Sequence, residues 1–504
     1  MSDAPLPISV VLQGEADTIR LGEDLALALK PGDCLALIGD LGAGKSTLAR
    51  ALIRAIADDP DLEVPSPTFT IVQAYPLRIP VAHLDLYRLS DISEMDELGI
   101  DEILSDGICL VEWPEIAGDA LPANSTITLR LEQSGDGRLA IIDAPQKQKA
   151  RLQRVLSIRD FLDQNGRANA SRRFFSGDAS YRAYESVTDG DEHTILMDWQ
   201  PPPRGDVLKD GKTYAEIAHL ARDVIPFVAI CSYLRDHGFS APAIVASDIP
   251  KGILLLEDIG RDGVLDADGQ PIEDRYLESV ACLAALHEAP LPGSMVLPNG
   301  LTYDVPPFDP EAMKIEVSLL VDWYLPHVRG GAVSDAEKQD YLTVWDSVIA
   351  GLSGTETGLL LRDFHSPNIL WQHGDISIGQ VGIIDFQDAM IGPTAYDLAS
   401  IIQDARVTIP SDMQTRLLDH YLDIRRKNPS FNEANFVKAF AIMSAQRNCK
   451  LAGIWVRLMQ RDGKPGYMKH MPRTFSYLRS ALAHPDLSPL RKWCVKAGMD
   501  FSSS

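Results

Sequence analysis

The sequence has no cysteine pair at CxxC spacing, no apolar run of 18 residues or more, no internal repeat and no low-complexity tract. Each absence removes a class. Without a long apolar run there is no candidate bilayer-spanning helix, and the opening MSDAPLPISV lacks the basic-then-apolar order of a secretory signal. A cytoplasmic location is expected. Six scattered cysteines in 504 residues (Cys34, Cys109, Cys231, Cys282, Cys449 and Cys494) read as reduced, buried thiols, since a chain this long needs no covalent staples. Basic residues are also scarce: 47 Lys and Arg stand against 71 Asp and Glu, a net charge of −24. Gripping a nucleic-acid backbone or an anionic membrane requires basic surface, so neither is expected as a direct partner.

What remains is a folded chain, 45% hydrophobic and 23% charged, long enough for three or four average domains or fewer large ones. Residues 1–147 alternate short apolar runs with helical stretches: CLALIG (34–39), STLARALIRAIA (46–57), ICLVEW (108–113), TITLRLE (126–132) and LAIIDA (139–144). That order predicts an α/β unit with a largely parallel sheet. A charged helical stretch then begins, which places a domain boundary near 148. The first segment carries a net charge of about −15 and residues 148–504 about −9. The second segment opens β-rich and becomes mostly helical after residue 270, except for a β-like section over 358–386. This is the layout of a kinase-like fold with two lobes.

Residues 39–46, GDLGAGKS, match the phosphate-binding pattern G-x-x-x-x-G-K-[ST] between an apolar strand and a helix, the context that the pattern requires. Gly39, Gly42 and Gly44 let the backbone curl and aim N–H groups at phosphate oxygens, with Ala43 and Thr47 completing the cradle. Lys45 is expected on the β- and γ-phosphates and the Ser46 hydroxyl on Mg2+. Asp85 in HLDLYRL and Glu112 in ICLVEWPE end apolar stretches, where carboxylates face the nucleotide in open α/β sheets; either could also be a cap or surface charge.

GDLGAGKS, VPSPTFT (64–70), HLDLYRL (83–89), DELGIDE (96–102) and VEWPE occur in this order in the TsaE family, and the resemblance covers residues 8–145. It implies a P-loop ATPase that supports threonylcarbamoyladenosine formation at position 37 of tRNA. Partners of the TsaD and TsaB type would make most of the tRNA contact. The resemblance further implies that Asp85 is a metal-side carboxylate and that Glu112 helps hydrolysis. Thr68 and Thr70 would belong to a switch loop, and Trp113 would sit beside the nucleotide.

In the second segment, GLLLRDFHSPNIL (358–370) places Asn368 five positions after Asp363, and VGIIDFQDA (381–389) ends a strand on Asp385. This is phosphotransfer spacing: Asp363 as catalytic base, with Asn368 and Asp385 on Mg2+. SGDASYRAY (176–184) lies where a loop covering the ATP phosphates belongs, so Ser180 and Arg182 are candidate phosphate contacts. An ordinary hairpin is an equal alternative there. The strand expected to carry a phosphate-binding lysine offers Met197 and Asp198 instead. LLLEDIG (254–260) is hinge-like, which makes Glu257 a candidate for the nucleotide site.

GDASYR, LMDWQPPP, LLLEDIG, LRDFHSPN, IDFQDAMIGPTAYDLASIIQDAR and AQRNCKLAGIWVRL…RDGKPGYM resemble AmgK, an anomeric sugar kinase of the aminoglycoside-phosphotransferase group, over about 150–490. The resemblance implies a bilobal α+β kinase acting on N-acetylmuramate and N-acetylglucosamine in cell-wall recycling. It makes Asp397 an anchor of the catalytic loop. Leu361 replaces a histidine that usually braces this loop. His287, His365, Gln387, Arg447, Arg457 and Arg461 are available to select the sugar, although an isolated His287 is more simply a satisfied helix residue. Two domains are therefore expected, a P-loop NTPase over 1–147 and a kinase over 148–504. An antibiotic or other small-molecule acceptor, or a nucleotide-dependent binding module without turnover, stays open as an alternative.

Overall fold

The computed structural model describes residues 6–67, 70–88, 99–177, 181–372 and 380–499. Thr68 and Ser180 lie outside them. The chain forms two compact units, Met1–Asp198 with Ala246–Leu256, and Trp199–Val245 with Glu257–Ser504.

The first unit is built on β1 (Ile8–Leu12), α1 (Glu15–Ala28), β2 (Cys34–Ile38), α2 (Lys45–Ala57), β3 (Val72–Tyr75), β4 (Val81–Asp85), α3 (Ile100–Asp106), β5 (Ile108–Glu112), β6 (Thr126–Ser134) and β7 (Gly137–Asp143). The seven strands form one sheet in the order β1-β7-β6-β2-β5-β4-β3. The expectation of a largely parallel sheet holds for its centre, where β6, β2, β5 and β4 pair in parallel. Both margins are antiparallel, through β7 with β6, β1 with β7, and β3 with β4. Short links between β6 and β7 and between β3 and β4 leave no room for a crossover helix, so these strands can only return antiparallel.

Alternation along the central strands divides their side chains between two cores. Leu35, Leu37, Ile108 and Leu110 face α1 and α2, whereas Cys34, Cys109 and Val111 face α3. The two covering helices approach closely at Gly22, where a Cβ would meet the Leu48 carbonyl at 2.8 Å and the Ala51 Cβ at 2.9 Å.

Helix α4 (Gln146–Gln164) begins at the boundary expected from the sequence, yet it is no linker. Its first half places Leu152 and Val155 in the core beneath α1. Its second half places Ile158, Phe161 and Leu162 against Val187, Leu196, Ile253 and Leu255 of the next sheet. That sheet contains β8 (Ser171–Gly177), β9 (Arg182–Asp189), β10 (Glu192–Trp199), β11 (Ile244–Asp248) and β12 (Ile253–Glu257), in the order β11-β12-β10-β9-β8. Buried ion pairs join the same elements: Asp24 of α1 accepts from Arg159 of α4 and from Arg172 of β8, and Arg172 also donates to Glu185 of β9.

The second unit is mainly helical, as expected. Its site is positioned by α5 (Glu273–Glu288), α6 (Pro310–Leu319), β13 (Thr357–Leu360), β14 (Ile369–Trp371), β15 (Val381–Ile383), β16 (Met390–Pro393), α7 (Ala395–Ile402) and α8 (Glu433–Gln460). β13 pairs antiparallel with β16, and β14 with β15. All six cysteines are buried and unpaired, and burial pushes Cys34, Cys109, Cys231, Cys282 and Cys449 up to about 12. None is poised as a nucleophile. Among the described residues no helix is long and apolar enough to cross a membrane.

Candidate functional site

The phosphate-binding loop links β2 to α2, and its three glycines adopt the positive φ that their spacing demands: 152° at Gly39, 79° at Gly42 and 104° at Gly44. A Cβ at Gly39 would meet the Leu131 carbonyl at 2.9 Å, so the turn is closed to larger residues for steric as well as torsional reasons. The Lys45 ammonium donates to the carbonyls of Gly39 (2.6 Å) and Asp40 (3.0 Å). It also lies 4.0 Å from the centroid of the Trp113 ring, a cation–π contact. Trp113 itself has a left-handed backbone, φ 60°, directly after β5, which turns its ring towards the loop. Gly42, Ala43, Gly44 and Thr47 line a 260 Å³ pocket together with Asp136 and Arg138.

The two candidate carboxylates are register neighbours, Asp85 opposite Glu112 at the ends of β4 and β5. They have different partners. Ser46 donates its hydroxyl to Glu112 Oε2 at 3.2 Å, and His83 Nε2 shares a 3.0 Å hydrogen bond with Glu112 Oε1. Asp85 turns elsewhere: its Oδ1 accepts the Tyr87 N–H at 3.1 Å, its Oδ2 lies 3.5 Å from the Ser66 hydroxyl of the Pro-rich loop, and its own N–H donates to the Ile71 carbonyl at 3.0 Å. β5 adjoins the loop-bearing β2 and β4 lies one strand further out, so register brings Glu112 rather than Asp85 to Ser46. Thr70 is exposed beside Ile71. Nothing in the local sequence signalled His83, which is buried and aimed along the same strand end.

In the second unit the expected constellation comes together. The β14–β15 register pairs Ile369 with Ile383, which places Asn368 beside the residues that follow β15. Asn368 donates through Nδ2 to Asp385 Oδ2 (3.2 Å) and to the Asp363 carbonyl (2.9 Å). Gln387 donates to Asp385 Oδ1 at 3.1 Å. Arg362 and Asp385 both sit in the left-handed region, φ 74° and 61°. Non-glycine residues held there cost roughly 1–3 kcal/mol each, and such strain concentrates at functional loops.

The surrounding structure secures that strain. Asp397 of α7 accepts the N–H groups of Leu361 and Arg362, so it anchors the loop as expected, and burial raises its carboxyl to about 7. Leu361, which replaces the histidine usual at this position, is itself buried, so the loop is packed by an apolar side chain there. Four further residues escaped the sequence reading. Glu316 of α6, fully buried, pairs with Arg362 and with Lys450 (2.8 Å) and accepts from Gln446 at 2.8 Å. Asp404 accepts the N–H groups of Ser366 and Arg406, both at 2.8 Å. Burial alone would raise the Asp363 carboxyl, but Lys450, Arg447 and Arg362 prevail and hold it below its ordinary value, ionised as a base must be.

Glu316 offers a stability test. Although burial opposes ionisation, Arg362 and Lys450 lower its carboxyl from 4.5 to about 2. The folded value lies below the unfolded one, so the stabilisation is complete above pH 4.5 and fades as pH falls towards 2. Glu316→Gln is expected to lose roughly 3 kcal/mol at neutral pH. That deficit should shrink below pH 4.5 in chemical denaturation; a deficit independent of pH would contradict the ionic role.

The remaining candidates divide. Arg447 is buried and donates to the Arg362 carbonyl at 3.2 Å, while His365 Nδ1 lies 3.0 Å from the Asp363 carbonyl. His287 is hydrogen-bonded through Nδ1 alone, 2.8 Å from the Tyr421 hydroxyl; its Nε2 is buried with no hydrogen-bond partner among the described residues, and burial lowers the imidazole to about 3. Arg457 packs over Tyr214, and Arg461 is exposed and pairs with Asp462. The Glu257 N–H donates to the Ala243 carbonyl (2.8 Å), and its carboxylate accepts the Ala243 N–H (2.9 Å). Met197 is buried, and Asp198 pairs with Arg154 of α4. Arg182 is buried on β9 and lies 3.3 Å from the Tyr184 hydroxyl.

Known proteins resemble each of the two segments that carry these residues. Residues 12–140 match the family model described as threonylcarbamoyl adenosine biosynthesis protein TsaE, and residues 171–430 match the phosphotransferase enzyme family. An N-acetylmuramate/N-acetylglucosamine kinase of Caulobacter vibrioides is 31% identical over 347 residues, covering 66% of this chain and 93% of that protein. A tRNA threonylcarbamoyladenosine biosynthesis protein TsaE of Bacillus subtilis is 38% identical over 122 residues, 24% of this chain and 74% of that protein. Its counterpart in Rickettsia felis is 40% identical over 108 residues, 21% of this chain and 63% of that protein, so the chain spans less than two thirds of that relative. The chain belongs to the phosphotransferase enzyme family and, through its amino-terminal residues, to the TsaE family, an ATPase and a phosphotransferase in one polypeptide.

Proposed function

We propose that the chain is bifunctional, divided in activity as 1–147 and 148–504. The first part would use ATP hydrolysis to support threonylcarbamoyladenosine formation at tRNA position 37, working with TsaD- and TsaB-type partners. The second would phosphorylate the anomeric hydroxyl of N-acetylmuramate or N-acetylglucosamine with ATP. The names of the relatives support both assignments. The observation that carries the kinase reading is the Asp363 loop, hung by two N–H groups on the buried Asp397 and set beside the Asn368–Asp385 pair.

Magnesium fits the donors present. Ser46 with Glu112, and Asn368 with Asp385, offer hard oxygen atoms. Among the described residues no group of three or more His, Cys, Asp or Glu could hold a metal alone. Incomplete oxygen sets suit Mg2+, which keeps waters and shares phosphate oxygens. When bound it would neutralise charge on the phosphates. Asp363 would accept the proton of the anomeric hydroxyl. This hydroxyl is more acidic than an ordinary alcohol, so orienting it matters more than removing its proton early. In the first site Lys45 and the loop N–H groups would hold the phosphates, and Glu112 would orient the attacking water.

The decisive experiment is sugar phosphorylation by the full chain across a panel that includes aminoglycosides, with product identification. Phosphate at the anomeric position of an N-acetylated amino sugar is expected; transfer to an aminoglycoside alone would overturn the reading. Lys45→Ala should abolish ATP binding at the first site while sugar phosphorylation stays within about twofold, because the second site would bind its own ATP. Loss of both activities in that variant would show a single shared site.

A further inference from the structure

A 650 Å³ pocket borders the catalytic loop of the second unit, with Ser366 and Pro367 as one wall and Arg406, Lys464, Tyr467 and Lys469 among the others. Ser366 and Pro367 lie between Asp363 and Asn368 in the chain, so the pocket adjoins the segment that carries the catalytic base. The two walls are rigidly joined. Asp404, fully buried, accepts the N–H of Ser366 on one side and those of Arg406 (2.8 Å) and Val407 (3.2 Å) on the other.

Among the described residues the lining has Arg406, Lys464 and Lys469 but no Asp or Glu, in a chain of net charge −24. Concentrating cations where the rest of the molecule is acidic favours an anionic ligand. Tyr467 supplies a flat apolar face of the kind that packs on a sugar ring. It is stacked on Trp455 with centroids 5.7 Å apart and planes 13° apart, and the Arg406 guanidinium lies 5.9 Å from its centroid. Burial first, and then Arg473, Lys469 and Arg406 against the opposing pull of Asp404, lower His470 in the same lining to about 4.

We propose that Arg406, Lys464 and Lys469 recognise a carboxylate on the acceptor sugar and so select acidic N-acetylated sugars over neutral ones. This rests on the sugar-kinase reading and names the determinant within it. N-acetylmuramate differs from N-acetylglucosamine by a lactyl ether that carries a carboxylate, so the pair compares an acceptor with and without the charged group, and the cation variants separate its charge from its bulk. Losing a hydrogen bond to a charged group costs enough to change specificity by one to two orders of magnitude.

The test is kcat/KM of the full chain for both sugars, with wild type, Arg406→Gln with Lys464→Gln, and Arg406→Lys. The double variant is expected to lose about 10- to 100-fold on N-acetylmuramate, mainly in KM, while N-acetylglucosamine changes by less than about twofold. Retained activity on the neutral sugar shows that the variant folds, and Arg406→Lys should recover part of the loss. Equal loss on both sugars, or a raised KM for ATP, would overturn the proposal, the latter by assigning the cations to nucleotide phosphates. A wild type inactive on both sugars would remove the sugar-kinase reading itself, a result distinct from failure of the charge preference.

Discussion

Asp363→Asn is expected to lower phosphoryl transfer by about 10²- to 10⁴-fold, the usual contribution of a positioned proton acceptor. The amide keeps the size and can still accept a hydrogen bond, but it cannot take the proton. Because an anomeric hydroxyl is comparatively acidic, the lower half of that range is favoured. The loop should survive the change. Leu361 and Arg362 hang from Asp397 by their N–H groups, and Arg362 is clamped by Glu316, none of which involves the Asp363 carboxylate. Single-turnover formation of sugar phosphate checks the rate, and an unchanged melting temperature separates catalysis from folding. Activity within a few-fold of wild type would remove Asp363 from its role.

The second large effect concerns stability. Asp24→Ala is expected to cost roughly 3–5 kcal/mol, the scale for breaking a buried ion pair by removing one partner. Asp24 accepts from Arg159 through Nε (3.0 Å) and Nη2 (2.9 Å), and from Arg172 Nη1 at 2.7 Å. Arg172 has no exposed surface, and its other bonds run to Glu185 and the Val155 carbonyl. Without Asp24, Arg159 loses its only carboxylate partner among the described ion pairs, and Arg172 keeps a single one. Denaturant midpoints of the full chain measure the loss, with nucleotide binding at Lys45 followed in parallel. A change below about 1 kcal/mol, the value of an exposed pair, would show that water reaches the network.

The same network explains why the change in sequence character near 148 does not divide the compact units. Charge and strand content shift there because the sheets change. Packing ignores the shift, since α4 contributes Val155 to one core and Phe161 to the other. Periodicity marks which face of a helix is apolar, but it cannot say that successive turns serve different sheets.

Both nucleotide-site motifs were legible because their chemistry is local. The phosphate loop needs glycines at fixed offsets for positive φ, and Gly39, Gly42 and Gly44 declare that without any knowledge of the rest of the chain. Asp363, Asn368 and Asp385 are likewise set by short strands whose lengths fix their spacing. Glu316, Gln446, Lys450 and Asp404 were not legible. Their partners lie tens of residues away or more, and a buried charge looks in sequence like any surface charge until its counter-ion arrives.

The sequence alone therefore determined the two phosphate chemistries, the α/β and kinase-like layouts that carry them, and the candidate residues that the loop and strand ends bring together. Tertiary structure alone decided that Glu112 rather than Asp85 meets Ser46, that Glu316 clamps Arg362, and that Asp24 of α1 binds Arg172 of β8. The reason is range: backbone torsion and motif spacing act over a few residues, whereas pairing of buried charges is settled only when distant segments exclude water together.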